Sequence, residues 1–167
     1  MTEEEKRKHL ACFTGHWPQK LSIYEGDAKA WLYEAIMQAV SEGHTTFISG
    51  MAQGVDIWAA EVVLSIRDTL KAKTGVEIKL ICASPYDGFE RSWSQDWKDQ
   101  YWYIMENCDL KKYICPHYSR GCFQVRNKWM VDHSDVVIGI FNGEKSGTKN
   151  TINYALKQGL EVRYIDG

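Results

Sequence analysis

The segment Thr46–Glu61 changes its hydrophobic period halfway along, and this constrains the fold more than any other stretch does. Its first residues, up to Ser49, are the β-branched and aromatic run of a buried strand. Gly50 and Gly54 follow, and from Asp56 apolar residues recur at helical spacing, with Asp56 placed as an N-cap. The pattern predicts a βα turn. Its glycines either let a phosphate approach closely or serve only the backbone geometry.

A second junction of the same kind lies near the other end of the sequence. Residues 135–141 form a stronger strand pattern, and the glycine-containing run 142–147 leads into a helix that begins near Thr148 and ends at Gly159. In a parallel α/β sheet both turns lie at the carboxyl edge of the strands, where such folds bind ligands. Two helix N-termini at one edge favour a site for an anionic group.

Four motifs, taken in order, resemble those of one protein family. They are Thr14-Gly15-His16; Ser49-Gly50-Met51-Ala52-Gln53-Gly54-Val55-Asp56; Gly121-Cys122 with Arg126-Asn127 and Met130-Val131-Asp132-His133-Ser134; and Ser146-Gly147-Thr148 with Asn150-Thr151-Ile152 and Tyr154-Ala155. As a set they are similar to the YpsA-like proteins of the SLOG superfamily, which is named for the DNA-processing protein DprA (Smf) and the plant LOG enzymes. The similarity runs from about Cys12 to Ile165.

The resemblance implies an α/β fold, a Rossmann-like three-layer sandwich with a mostly parallel sheet of about six strands. It also implies a nucleotide, NAD-derived or ADP-ribose-like ligand and a bacterial or phage origin. The length of 167 residues fits one such domain over residues 1–167, with no linker long enough to divide it.

Charge and composition limit the partners. The net charge of −2 gives no overall attraction to nucleic acid, and Lys and Arg form no stripe. No apolar run approaches the roughly 20 residues that span a bilayer. The charged N-terminus lacks the apolar segment of a signal peptide. We therefore expect a cytoplasmic protein with no membrane partner, for which nucleic acid is disfavoured and a homo-oligomer remains an alternative.

The five cysteines include no Cys-x-x-Cys pair, so the sequence does not favour a disulfide framework. Cys115, His117 and Cys122 are close in sequence but lack the paired spacing of a structural zinc site. We expect no metal and no required cofactor, with a nucleotide as the ligand.

The candidate ligand-binding residues come from the motifs and from the predicted carboxyl ends of the strands. They are Thr14, Gly15, His16, Ser49, Gly50, Met51, Ala52, Gly54, Asp56, Ser84, Arg91, Arg126, Asn127, Asn142, Gly143, Ser146, Gly147, Thr148 and Asn150. By the resemblance, Arg126 occupies the place of a catalytic or ribose-phosphate-binding arginine in LOG-type enzymes. It either clamps a phosphate or is a solvated helix charge. Trp17 replaces the family's usual arginine and either stacks on a base or packs.

An aromatic stripe is the remaining feature. Trp93, Trp97 and Tyr101 recur every four residues and so share one face of a helix. Such a stripe is either a stacking platform for a nucleobase or single-stranded nucleic acid, or a packing surface in the core or against a second subunit. Helical spacing favours packing.

LOG-type phosphoribohydrolases need a glutamate immediately after their Gly-Thr, whereas Lys149, Asn150 and Thr151 stand here. None of these can ionise to a carboxylate base, so the sequence leans against catalysis. Glu61 and Arg126 are the remaining catalytic candidates. The first hypothesis is a sensor or sequestering protein for ADP-ribose, an NAD-derived molecule or a cyclic nucleotide-like ligand. The second is a nucleotide hydrolase or N-glycosidase related to LOG enzymes. The third is a DprA-like single-stranded DNA-binding protein.

Overall fold

Six short apolar runs become the strands of one sheet in the computed structural model, which describes residues 1–167. The strands are β1 (Leu10–Gly15), β2 (Thr46–Ser49), β3 (Lys79–Ser84), β4 (Leu110–Tyr113), β5 (Val136–Ile140) and β6 (Glu161–Ile165). The helices are α1 (Glu3–Arg7), α2 (Glu25–Ser41), α3 (Val55–Thr74), α4 (Gln95–Asn107), α5 (Cys122–Asp132) and α6 (Gly147–Lys157). None of these helices combines the length and the apolar character that crossing a membrane requires.

The strand order is β4-β3-β2-β1-β5-β6, and every neighbouring pair is parallel. The predicted Rossmann-like α/β fold is therefore confirmed, with a sheet that is wholly rather than mostly parallel. From the central strand β1 the chain builds outward on one side through β2, β3 and β4, and then on the other through β5 and β6. The border between β1 and β5 is thus a topological switch point.

Two apolar clusters, one on each face of the sheet, make the molecule a three-layer sandwich. Ala11 and Phe13 of β1 belong to the larger cluster, together with residues of α2, α3 and α4. Cys12, between them, belongs to the smaller cluster, together with residues of α5 and α6. Successive side chains of a strand point to opposite faces, so the middle of β1, residues 11–13, is apolar on both faces.

The aromatic stripe packs inside the protein. Trp93 and Tyr101 are buried, and their rings meet edge to face with centroids 5.5 Å apart. Trp97 packs on Trp58 of α3 at a centroid distance of 6.5 Å. Because these rings are covered by their own chain, they form no open stacking platform, and the packing interpretation of the stripe is confirmed.

The helix α3 begins differently from its prediction. Its N-cap is Gly54 rather than Asp56, which lies inside the first turn. Gly54 has φ 93° and ψ −126°, a backbone conformation that residues with a side chain rarely adopt. The glycine turn, not a capping carboxylate, therefore sets the start of α3.

Candidate functional site

A cavity of about 410 Å³ lies at the carboxyl edge of the sheet, where the chain leaves the central strands. This is the position at which open α/β sheets bind ligands. The cavity is lined by Phe13, Thr14, Gly15, His16, Trp17, Gln19, Lys20, Ala52, Asp56, Phe89, Phe123, Gln124, Arg126, Asn127, Met130, Ser146, Gly147 and Thr148.

The strand order sets the order of these groups along the edge. Phe89 follows β3, Asp56 follows β2, His16 follows β1, and Ser146 follows β5. Neighbouring strands are about 4.8 Å apart, so the four groups span roughly 14 Å. The lining therefore changes along the edge from an aromatic end at β3 to a helix N-terminus beyond β5.

The N-terminus of α6 presents backbone N–H groups to the cavity. Ser146 is the N-cap, and its Oγ accepts a hydrogen bond from Lys149 N at 3.2 Å. Gly147 and Thr148 line the cavity, and their first-turn N–H groups have no acceptor within the helix. The aligned peptide dipoles make this end of α6 positive. It is suited to an anionic group.

The turn after β2 is packed against protein instead. A Cβ on Gly50 would lie 2.9 Å from the guanidinium of Arg126, and a Cβ on Gly54 would lie 2.8 Å from the carbonyl oxygen of His16. Ser49 closes the turn, because its Oγ donates to Asp56 O at 2.8 Å. The two glycines therefore make room for an arginine side chain and a neighbouring loop. Neither glycine lines the cavity, and their role in letting a phosphate approach stays a prediction.

Asp56 is a buried carboxylate in the cavity wall, 6% exposed. Its Oδ2 accepts a hydrogen bond from Ala52 N at 3.3 Å, whereas its enclosed Oδ1 has no hydrogen-bond partner. Burial raises the pKa of the carboxyl to about 6, although Arg126 and the Ala52 N–H act to lower it. A buried acceptor without a donor costs free energy.

Arg126, on α5, is 5% exposed, so it is not a solvated helix charge. Its Nη1 donates to the carbonyl oxygen of Gly50, and its Nε donates to Asn127 Oδ1 at 2.7 Å. Burial lowers the pKa of the guanidinium, and Asp56 raises it. These two bonds use two of its five N–H groups, which leaves donors for a molecule in the cavity.

His16 is neutral and offers one donor. Its Nε2 accepts from Asn142 N at 3.4 Å, so the proton of the neutral ring is on Nδ1. Burial lowers the pKa of the imidazole, which keeps it uncharged at neutral pH. Asn142 also donates through Nδ2 to Lys20 O at 3.1 Å, so it ties the loop after β5 to the loop after β1.

Ten of the nineteen predicted ligand-binding residues line this one cavity. They are Thr14, Gly15, His16, Ala52, Asp56, Arg126, Asn127, Ser146, Gly147 and Thr148. The other nine do not line it, and several of them shape its walls. They are Ser49, Gly50, Met51, Gly54, Ser84, Arg91, Asn142, Gly143 and Asn150.

Three predicted side chains are directed elsewhere. Arg91 and Asn150 are exposed to solvent and outside the lining. The carboxylate of Glu61 pairs with Lys29 Nζ at 2.7 Å, between α3 and α2. Glu61 therefore lies outside the cavity lining, and its role as a relocated catalytic base stays a prediction.

The lining residues missed from the sequence include Phe89 and Phe123, whose ring centroids are 5.7 Å apart. Phe123 could have been found. It lies three residues before Arg126 and four before Asn127, so helical spacing puts all three on one face of α5. Phe89 lies in a loop, for which no periodic signal exists.

Ser84 supports the fold rather than the cavity. Its buried Oγ is hydrogen-bonded to the hydroxyl of Tyr101 at 2.9 Å. We expect Ser84→Ala to lower the free energy of unfolding by about 1–3 kcal/mol, because it leaves the buried Tyr101 hydroxyl without a partner. Urea unfolding measures this loss. A change in nucleotide affinity at unchanged stability would instead place Ser84 in the binding site.

The fold and the site together define a Rossmann-like α/β protein with a cavity at the switch point of its parallel sheet. Residues 11–165 match the sequence profile of the YpsA family, which is described as the YspA SLOG family. The chain therefore belongs to this family.

Similar proteins occur in bacilli. The SPbeta prophage-derived protein YoqJ of Bacillus subtilis (strain 168) is 34% identical over 128 residues, which cover 70% of this chain and 72% of YoqJ. A UPF0398 protein of Bacillus cereus (strain B4264) is 26% identical over 161 residues, which cover 89% of this chain and 83% of that protein. A bacterial origin fits both relatives.

Two solved structures share the fold. DNA processing protein A from Helicobacter pylori, in a structure that concerns its single-stranded DNA binding mode, superposes with a TM-score of 0.65 at 22% identity, covering 98% of this chain and 68% of that one. DprA from Streptococcus pneumoniae gives a TM-score of 0.59 at 19% identity, covering 94% of this chain. This chain spans about half the length of the pneumococcal protein, at 50%.

Proposed function

We propose that this protein binds a nucleotide-derived ligand in the cavity at the switch point, as a sensor or a sequestering protein. One observation carries the proposal: a single cavity is lined by the N-terminus of α6 and by the buried residue Arg126. Both favour phosphate oxygens. ADP-ribose, NAD-derived molecules and cyclic nucleotides all carry phosphate groups.

The rest of the lining supports a ligand with an aromatic base. Phe89 and Phe123 form an apolar wall, and Trp17 also lines the cavity, with 45% of its surface exposed. Ligand sites commonly combine such apolar walls with a few placed polar groups. The indole of Trp17 is free to cover a bound base.

The carboxylate inventory favours binding over hydrolysis. Asp56 is the single Asp or Glu in the lining. Most glycoside hydrolases use a pair of carboxylates, one as acid and one as base or nucleophile. A second carboxylate is absent from the lining, and Asn150, near the place of the glutamate in LOG-type hydrolases, is exposed to solvent.

The test is to titrate purified protein with AMP, ADP-ribose and NAD by calorimetry, and then to release each ligand by heat for mass spectrometry. Binding of at least one of them, with intact ligand recovered after hours, supports the proposal. Released base or ribose phosphate would instead establish the hydrolase. Absence of binding by all three would overturn the proposal.

Arg126 supplies a directed prediction. Arg126→Ala is expected to weaken AMP binding by about 1.5–3 kcal/mol, the contribution of hydrogen bonds to a charged group. Binding of adenosine, which lacks the phosphate, should be weakened much less by the same substitution. Arg91→Ala is the matched control, because Arg91 is exposed and outside the lining. Calorimetry measures the affinities of the wild type, Arg126→Ala and Arg91→Ala for AMP and for adenosine. An equal loss for AMP and adenosine would mean that Arg126 supports the shape of the cavity and not the phosphate.

A second candidate is binding of single-stranded DNA, which the shared fold with the Helicobacter pylori protein suggests. The net charge of −2 and the covered aromatic stripe weigh against it. Fluorescence anisotropy with a labelled oligothymidine at 50 and 200 mM salt tests it, since phosphate contacts weaken steeply with salt. Tight, salt-dependent binding that AMP does not displace would favour this candidate.

A further inference from the structure

Building on the proposed nucleotide site, we infer that the ligand carries two linked phosphate groups, which the cavity binds through a row of hydrogen-bond donors. The starting observation is a set of three polar side chains in the cavity lining. His16, Arg126 and Thr148 are each more than nine-tenths buried, and each keeps a polar atom without a partner in the protein. Buried polar groups are normally hydrogen-bonded, so these atoms point to a molecule that fills the cavity.

The three unpartnered atoms are accessible from the cavity. They are His16 Nδ1, Arg126 Nη2 and Thr148 Oγ1, because the side-chain hydrogen bonds of His16 and Arg126 use other nitrogens. The fully enclosed side-chain nitrogen and oxygen atoms without a partner are Asp56 Oδ1 and Trp58 Nε1, so the three atoms are not enclosed. All three belong to residues of the lining, and a bound molecule can therefore reach them.

The protein's own hydrogen bonds leave donors free at this site. His16 Nε2 accepts from Asn142 N at 3.4 Å, so the ring proton is on Nδ1. Every nitrogen of Arg126 is a donor, and only two of its N–H groups are used, by Gly50 O and by Asn127 Oδ1. Because the oxygen of Asn127 accepts from Arg126, the free end of that amide is its NH₂ group. The ligand must therefore bring acceptor oxygens.

The donors form a row that is longer than one phosphate group. Arg126 lies over the turn after β2, where its guanidinium fills the space above Gly50. His16 follows β1, and the N-terminus of α6, with Thr148 in its first turn, follows β5. Since β2, β1 and β5 are neighbours in this order, the row covers two strand spacings, roughly 10 Å at about 4.8 Å each. A single phosphate cannot contact both ends of it.

The charge of the lining also suits two phosphates. Arg126 and Lys20 are its two cations, and Asp56 is its single carboxylate. The peptide dipoles of α6 add positive potential at the far end of the row. We therefore place one phosphate at Arg126 and the second at His16 and the N-terminus of α6. AMP fills only one of these places, whereas ADP fills both.

Calorimetry with AMP and ADP, in the presence of EDTA to exclude metal complexes, tests this assignment. We expect the wild type to bind ADP at least about tenfold more tightly than AMP, because the second phosphate receives charge-assisted hydrogen bonds. His16→Phe removes the donor but keeps a ring to pack on Phe141, and Thr148→Val removes the hydroxyl but keeps the side-chain shape. In each variant the preference for ADP should fall to within about threefold, with little change in the affinity for AMP.

His117→Phe is the matched control, because His117 is exposed and outside the lining, and it should keep the wild-type preference. Equal binding of ADP and AMP by the wild type would overturn the two-phosphate assignment while nucleotide binding stands. A preference that survives in both His16→Phe and Thr148→Val would also overturn it, because the second phosphate would then be bound by other groups. If neither AMP nor ADP-ribose binds to the wild type, the nucleotide site itself fails and the assignment fails with it.

Discussion

Asp56→Asn is expected to make the protein more stable at neutral pH. The folded protein holds the pKa of this carboxyl at about 6, against an ordinary value of 3.8, because burial outweighs the attraction of Arg126. Each unit of difference corresponds to about 1.4 kcal/mol, so keeping Asp56 ionised costs the fold about 3 kcal/mol. An amide of the same shape carries no such cost.

The sign of the pH dependence follows from the two pKa values. Between pH 3.8 and about 6 the folded state retains a proton that the unfolded chain has lost, so the contribution of Asp56 to stability falls as pH rises through this window. The free energy of unfolding of Asp56→Asn should therefore exceed that of the wild type only slightly at pH 4, and by about 3 kcal/mol above pH 7.

Urea unfolding of both proteins at pH 4, 5, 6 and 7.5 measures this gain. Asp27→Asn is the control, with an expected change below about 1 kcal/mol, since it alters only a charge near a helix end. A variant at Asp56 that is no more stable than the wild type at pH 7.5 would show that Arg126 compensates the carboxylate fully. A gain that accompanies lost affinity would identify Asp56 as a residue kept for binding at the expense of stability.

Gly54→Ala is expected to lower the free energy of unfolding by about 3 kcal/mol or more. The backbone at φ 93° and ψ −126° is strained for any residue with a Cβ, which costs about 1–3 kcal/mol. The added Cβ would also lie 2.8 Å from His16 O and 3.1 Å from Pro18 Cδ, and such overpacking costs a further 1–3 kcal/mol or so.

Gly75→Ala is the matched control for this change. Gly75 also has a positive φ, 75°, but a Cβ there would meet no atom within 4 Å. Gly75→Ala should lower the free energy of unfolding by about 1–2 kcal/mol, because of the backbone conformation alone. Urea unfolding compares the two variants, and calorimetry with AMP should show weaker binding only for Gly54→Ala, whose Cβ displaces the loop of His16. Equal stability losses would mean that this loop yields without cost.

Much of the fold was predictable because each element repeats its pattern over many residues. The strand β5 is buried at every position and reads as a continuous apolar run, whereas α3 shows a helical period after its glycine turn. Element ends were harder, since a cap depends on local geometry. Asp56 has the residue type of an N-cap, yet the φ and ψ of Gly54 start the helix two residues earlier.

Residues of the candidate site could be predicted where a motif names them directly. They could not be predicted where tertiary packing determines which atoms a residue contacts. Arg126 and Asp56 were both named from the motifs, and both line the cavity. The use of Gly50 was missed, because only the structure shows that an arginine side chain fills the space above it. Glu61 was misplaced because its position on α3 directs it to Lys29, a long-range contact that a local pattern does not reveal.

The central strand has a consequence for how the chain is made. β1 pairs with β2 on one edge, through Ala11 and Phe47, and with β5 on the other, through Ala11 and Val136. During synthesis its second edge stays open until β5 has emerged, and open strand edges pair readily with other chains. The walls of the cavity come from residues near both ends of the sequence, from Phe13 to Thr148. The cavity is therefore incomplete while the chain is being made, and a molecule that binds in it cannot stabilise the partly made chain. Until β5 has emerged, pairing with β2 therefore covers only one edge of the central strand.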